Sequence, residues 1–590
     1  MVNTPPPTPC LPQNEPDANR RADSLNLQRQ AYRYDYQYLP PLVLMESVPA
    51  AENFSLQYIT ERLAATAELP ANMLAVKVKS FLDPLDELQD YEDFFAIIPL
   101  PKIAKVYQTN DAFAEQRLSG ANPLVLRLLK PGDARAQVLN QIPSSKTDFE
   151  PLFQVNQELA AGNIYIADYT GTDINYLGPS LVQGGTHAKG RKYLPKPRAF
   201  FWWRKSGIRD RGKLVPIAIQ FGENAEKLYT PFEKNPLAWL FAKICVQVAD
   251  SNHHEMNSHL CRTHFVMEPI AIGTARQLAE NHPLSLLLKP HLRFMLTNNH
   301  LGQERLINPG GPVDELLAGT LGESMALVKD AYANWNLRDF AFPKEISNRG
   351  MDDTERLPHY PYRDDGMLVW QSINQFVSDY LHYFYPNPQD ITNDQELQAW
   401  AGELSNSAAD QGGNVKGMPA NFTDVEDLIE VVTTIIFICG PLHSAVNYGQ
   451  YDYMTFAANM PLAAYCDLPE AIKDTTGSII GNARGSITEK DILQLLPPYK
   501  KAADQLQSLF TLSDYRYDRL GYYDKAFQEL YGRKFEEVFA KGDQATITGF
   551  LRQFQQNLNM NEQEIDANNQ KRIVPYTYLK PSLILNSISI

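Results

Sequence analysis

Four of the chain's eleven histidines fall within twelve residues, in the segment ADSNHHEMNSHLCRTHF at 249–265. Histidine is the commonest metal-binding side chain, and His254, His259 and His264 recur every five residues. His254-Glu255 invites a zinc-protease reading, but the run is HExxxH, one residue longer than the HExxH that sets two imidazoles one turn apart. In a regular α-helix a step of five residues turns through about 500°, so successive side chains diverge by about 140°. A π-type widening gathers residues five apart onto one face, and such widenings concentrate at functional sites. The spacing therefore predicts a metal site on a widened helix, with His259 and His264 converging on one ion.

A second metal-like pair lies downstream, in EVVTTIIFICGPLHSAVNYGQYDY at 430–453. His443 and Asn447 are four apart and share one helical face, beside an almost unbroken apolar run from Val431 to Cys439. Such a helix reads as a core element that delivers ligands. A core histidine bonded to a carbonyl is the plainer reading of any single one of these residues, and two such clusters on apolar helices count against it. The chain ends PSLILNSISI, apolar and β-branched to its last residue. A terminus of this kind should be buried with its carboxylate, and a buried carboxylate needs a strong partner such as a metal ion.

The elements that must position these residues follow from the rest of the sequence. A length of 590 residues allows one large or two to three ordinary domains. A hydrophobic content of 44% with 21% charged residues is that of a soluble globular protein. The net charge of −15 argues against a nucleic-acid partner, which needs a basic surface. The five cysteines form no CxxC pair, and buried thiols in a reducing, cytoplasmic compartment are expected. The opening MVNTPPPTPC lacks the pattern of a signal peptide.

Residues 1–25, rich in Pro, Asn and Asp, read as a disordered tail, and 26–105 as an N-terminal helical extension with no β-barrel pattern. Strands are expected at NIYIADY, PRAFFWWRK and KLVPIAIQF, forming a small sheet. From Pro236 onward helical patterns dominate, at 236–265, 274–287, 321–335, 366–385, 423–449, 488–511 and 543–558. The fold class expected is mainly α, a large helical domain with a minor β-sheet subdomain.

Seven motifs carry a family resemblance: HHEMNSHLCRTHF with Glu268-Pro269 two residues on, PLHSAVNYGQYDY, YPYRDDGMLVWQSI, PKEISNRGM, QRLSGANP, LVPIAIQF and the terminal NSISI. On these, which run from about residue 110 to 590, the chain resembles a lipoxygenase of the compact bacterial type, with a catalytic domain over 106–590. The resemblance implies a non-haem iron centre (Fe2+/Fe3+) held by His259, His264, His443, Asn447 and the carboxylate of Ile590. His254 then lies near the metal without binding it, Gln450 orients the ligands, and Glu255 stands where the family commonly has glutamine. Such nitrogen and oxygen donors suit Fe, with Mn the alternative, better than zinc. They leave one position for water or hydroxide, and no side chain is expected to act as an acid or base beyond it.

The implied reaction takes a bis-allylic hydrogen from a polyunsaturated fatty acid of the linoleate, linolenate or arachidonate class. Dioxygen then adds to the opposite face and a hydroperoxide results. Leu260, Leu306 and Val313 match channel-lining positions, and Gly302 matches the position that is glycine in most R-producing members, so an R product is expected. Met460 stands where many plant members carry an arginine for the carboxylate, which leaves tail-first entry or an esterified substrate open. A membrane surface is a further candidate partner. The competing readings are a hydroperoxide isomerase on the same fold and a non-catalytic lipid-binding protein with a vestigial metal site.

Overall fold

Two histidine-bearing helices run buried through the middle of the molecule, and the other elements pack around them. A computed structural model of the chain describes residues 8–80, 84–142, 154–170, 186–187, 190–205, 212–222, 228–466, 472–473, 479–481, 483–513, 515–572 and 574–590.

The first central helix starts where Asn235 caps the backbone N–H of Leu237 at 3.1 Å, ahead of Pro236. It is α-helical over Pro236–His253, widens to a π-helix over His254–Phe265 and returns to α over Val266–Gln277. The sequence pattern carried a helix across 274–287, but the chain breaks at 278–282. Pro283 opens a separate helix, Pro283–Leu292, whose first turn is capped by His282. A proline has no N–H to continue the preceding helix and is well suited to begin a new one.

The second central helix runs Val425–Phe437, widens over Ile438–Leu442, resumes over His443–Asn447 and widens again over Gln450–Met454. Pro441 sits in the first widening, where its missing N–H interrupts the regular ladder. The stretch Val425–Met454 is long and apolar enough to cross a membrane, yet its most apolar window is 94% buried inside the fold, as befits a core helix. The C-terminal segment passes directly over Gly440, where a Cβ would lie 2.8 Å from the Leu585 carbonyl. Helices Pro361–Phe384 and Lys541–Asn569 pack together beside it.

The three expected strands are Ile164–Asp168, Pro197–Arg204 and Lys213–Phe221. They form the middle of a five-stranded antiparallel sheet with Arg127–Leu128 and Leu228–Tyr229 at its edges. Side chains alternate between two cores, as the two-residue period of a strand requires: Phe201 and Trp203 join the main helical core, and Phe200 and Trp202 a smaller one.

The expectation of a disordered tail over 1–25 is corrected for residues 8–25. Helix Ala18–Ala31 begins in this stretch, capped by Asp17, and Leu11 and Leu25 are buried. The cause is Arg21, whose guanidinium pairs with Glu15 at 3.0 Å and with Glu396 at 2.6 Å in a buried setting. An ion pair with a partner 375 residues away leaves no trace in local composition. Tyr32, Tyr58 and Tyr91, from 26–105, are buried in the same core as the central helices.

Candidate metal centre

The π-widening does what the five-residue spacing requires. His259 and His264 point to one place, with their Nε2 atoms 3.2 Å apart and their ring centroids 4.9 Å apart. His443 arrives from the second helix, 5.4 Å from the His259 ring and 5.0 Å from that of His264. One ring nitrogen from each of the three lies within 4.8 Å of the others. All three rings are buried. Neither nitrogen of His443 has a hydrogen-bond partner among the described residues. An unpartnered buried polar group is costly, and a metal ion at the cluster would satisfy that ring, so these residues fit such a group.

Burial lowers the proton affinity of each ring, and repulsion from neighbouring cluster rings lowers that of His264 and His443 further. His264 is brought down to about 3 by burial and then by His259. His443 lies well below the ordinary histidine value from burial, then His264 and His259, and burial also lowers His259. Neutral imidazoles are the form that binds metal.

The structure separates His254 from the other three. Its Nε2 is engaged by the backbone carbonyl of Val446 at 2.7 Å, and its Nδ1 lies 3.3 Å from Glu255 Oε1. The Glu255 carboxylate also lies 3.8 Å from His259 Nδ1. Burial would raise the affinity of Glu255 for protons, but His254 and His259 hold it at about 2. Asn447 faces the same space as the cluster. Its Nδ2 donates to the Leu512 carbonyl at 3.0 Å, and its Oδ1 accepts from Gln450 Nε2 at 3.0 Å. Gln450 therefore lies behind Asn447 and fixes which amide atom faces which way.

A cavity of about 580 Å³ opens against the cluster, and His259, His264, Asn447 and Ile590 form part of its wall. Glu255, Leu260, Gly302, Leu306 and Val313 line the same cavity. His254, His443 and Gln450 are buried behind the wall. At Gly302 a Cβ would meet nothing within 4 Å, so the missing side chain leaves open space on the cavity wall.

The sequence reading passed over several residues here. Tyr58 and Phe54 line the cavity from the N-terminal segment, and the Tyr58 hydroxyl donates to the Ser589 carbonyl at 2.6 Å. Asn299 Oδ1 accepts from His264 Nδ1 at 2.9 Å, and the Asn299 amide nitrogen donates to Glu268. Asn299 lies 35 positions from His264, and no spacing rule joins them. Glu268 one turn after His264 was visible only as part of a motif.

A buried histidine cluster able to hold a metal ion thus lies at the wall of an apolar cavity in a large helical domain. Comparison with known proteins names the class. The lipoxygenase family model matches residues 48–581. The chain is 32% identical to a linoleate 9/13-lipoxygenase of Pseudomonas aeruginosa, over 86% of this chain and 70% of that one. It is 29% identical to the allene oxide synthase-lipoxygenase protein of Plexaura homomalla over 98% of this chain, and spans 54% of that longer protein. A solved lipoxygenase in complex with arachidonate superposes with a TM-score of 0.86 at 27% identity, covering 99% of this chain and 84% of that one. The chain belongs to the lipoxygenase family.

Metal content of three variants separates the roles of the histidines. His259→Ala and His443→Ala are expected to leave the purified protein without stoichiometric metal, whereas His254→Gln keeps it. A well-folded His254→Gln protein without metal would contradict this division.

Proposed function

We propose that the protein is an iron dioxygenase that converts a polyunsaturated fatty acid to its hydroperoxide. The observation that carries this reading is the convergence of three neutral, buried imidazoles, two of them, His259 and His264, on the wall of an apolar cavity. His259, His264 and His443 would hold the metal, with Asn447 Oδ1 and the carboxylate of Ile590 completing a nitrogen and oxygen donor set suited to Fe, and to Mn as the alternative. Bound there, iron supplies the one-electron oxidation that takes a hydrogen atom from a bis-allylic carbon.

The protein's own part is to bind and orient. A cavity of about 580 Å³ is within the usual size range for a small-molecule site. Leu260, Leu306 and Val313 give it apolar walls, and Arg62 and Arg305 also border it and can pair with a carboxylate. Met460 is buried and outside that wall, which favours pairing of a head group with these arginines over pairing near Met460. Linoleate, linolenate and arachidonate are the substrates proposed, with dioxygen as the second. The test is oxygen uptake with linoleate, set against turnover of linoleate hydroperoxide under argon. Uptake with linoleate supports the dioxygenase; turnover of hydroperoxide alone would replace it with an isomerase, and neither activity in an iron-loaded protein would leave a lipid-binding role.

The open space at Gly302 supports an R product, because dioxygen can approach the radical where an alanine methyl would shield it. Gly302→Ala introduces no clash, so the variant should fold, raise the S fraction and shift the position of oxygenation. Chiral chromatography of both proteins decides this. An S product from the unaltered protein, or an unchanged ratio in the variant, would remove Gly302 from stereocontrol.

Helix Leu56–Ala65 exposes Leu56, Ile59 and Leu63, and helix Glu68–Lys79 exposes Leu74 and Val78. Ile59 and Leu63 also border the cavity. Clustered exposed apolar residues mark interaction surfaces, and we propose peripheral contact with a lipid surface here, from a cytoplasmic location. Leu56→Ser with Leu63→Ser should weaken co-sedimentation with phosphatidylcholine vesicles severalfold. Equal sedimentation of both proteins would refute the contact.

A further inference from the structure

The remote nitrogen of His264 is held by a relay that begins in a different part of the chain. His264 Nδ1 lies 2.9 Å from Asn299 Oδ1. The Asn299 amide nitrogen has two hydrogens, and both are used: one goes to Glu268 Oε2 at 2.7 Å and one to the His264 backbone carbonyl at 3.1 Å. The other Glu268 oxygen, Oε1, accepts from the backbone N–H of Met45 at 2.7 Å. Asn299 and Glu268 are 3% and 1% exposed, so water does not compete for these bonds.

This arrangement fixes polarity as well as position. Were the Asn299 amide flipped, its oxygen would face the His264 carbonyl at 3.1 Å and the Glu268 carboxyl at 2.7 Å, acceptor against acceptor. The His264 carbonyl and Glu268, both accepting from the Asn299 amide nitrogen, together decide that the Asn299 oxygen faces His264, which places the imidazole proton on Nδ1. The lone pair of Nε2 is then directed to the cluster, where it stands 3.2 Å from His259 Nε2. Neither of the other two rings is held this way. His259 Nδ1 has a carboxylate oxygen at 3.8 Å, and His443 Nδ1 has no hydrogen-bond partner among the described residues.

The backbone that delivers Asn299 is strained to do so. Helix Met295–Arg305 starts from Phe294, a non-glycine residue with φ of 65° in the left-handed region. That conformation is disfavoured for an L-residue, whose Cβ crowds the following carbonyl. It is held by the Phe294 ring, packed against Phe54, Tyr58 and Tyr517. The same helix carries Gly302 on the cavity wall, so one rigid element sets both the ring of His264 and the space beside the substrate.

We infer that Asn299 and Glu268 are positioning residues for the metal: Glu268 orients the Asn299 amide, and Asn299 sets the tautomer and direction of the His264 ring. The inference rests on the iron reading of the site. Hydrogen-bonded partners behind a metal ligand typically change metal affinity by about 10- to 100-fold.

The test uses the full chain loaded with Fe2+, read by iron per chain, by the rate of iron release to a chelator and by the electron paramagnetic resonance spectrum of the oxidised protein. Asn299→Leu should release iron at least about tenfold faster and change the spectrum. Asn299→Asp alone should behave similarly, because two carboxylates then face each other. Asn299→Asp combined with Glu268→Gln restores a carboxylate-to-amide bond in reversed order, though not the bond to the His264 carbonyl, and should recover part of the iron retention lost in Asn299→Asp. Release rates and spectra equal to the unaltered protein in Asn299→Leu would overturn the inference. So would a double variant no better than Asn299→Asp, since packing and not bond polarity would then hold the ring. An unaltered protein that takes up no iron would instead overturn the reading of the site itself.

Discussion

The geometry of one helix governs the rest of the structure. Two imidazoles five residues apart cannot meet on a regular α-helix, where they diverge by about 140°. Over His254–Phe265 the backbone is widened to a π-helix, and His259 and His264 meet with their Nε2 atoms 3.2 Å apart. π-geometry is rare in isolation, so tertiary packing must hold it. Nearly every residue of the segment is buried, and the bond from the Thr263 hydroxyl to the His259 carbonyl at 2.6 Å ties the two ends of the histidine step together.

The second central helix answers the same demand in a different way. Its widening at Ile438–Leu442 carries Pro441 and Gly440. The proline frees the ladder, and the glycine lets the C-terminal segment pass close by. That segment is pinned along its length. The Ile584 carbonyl accepts from Leu520, the Asn586 carbonyl faces His291 Nδ1, and the Ser589 carbonyl accepts from Tyr58. The Ser589 carbonyl belongs to the peptide plane that leads into Ile590, so a bond there limits where the last residue can stand. Tyr58 also borders the cavity, and the wall that would face substrate and the segment that would reach the metal therefore share one side chain.

Much of this was legible in the residues alone. The five-residue histidine spacing implied the widened helix, because only one local geometry reconciles it with a shared ligand. The alternating strands Pro197–Arg204 and Lys213–Phe221 were equally plain. What was not legible depended on distant partners. Residues 8–25 look like a disordered tail by composition, and the Arg21–Glu396 pair orders them. His254 has the same spacing as its neighbours, and the folded chain sets it apart by engaging its ring with the Val446 carbonyl and the Glu255 carboxylate. Asn299 is a polar residue in a helix of mixed composition, and its bonds to His264 and Glu268 exist only in the folded chain.

The central claim is that a single iron ion is held where His259, His264 and His443 converge. Anomalous diffraction from crystals of the protein, collected on either side of the iron absorption edge, tests it directly. One peak is expected that appears only above the iron edge and lies within coordination distance of all three imidazoles. A peak beside His254 in place of His443, or a site whose signal follows the zinc edge, would contradict it.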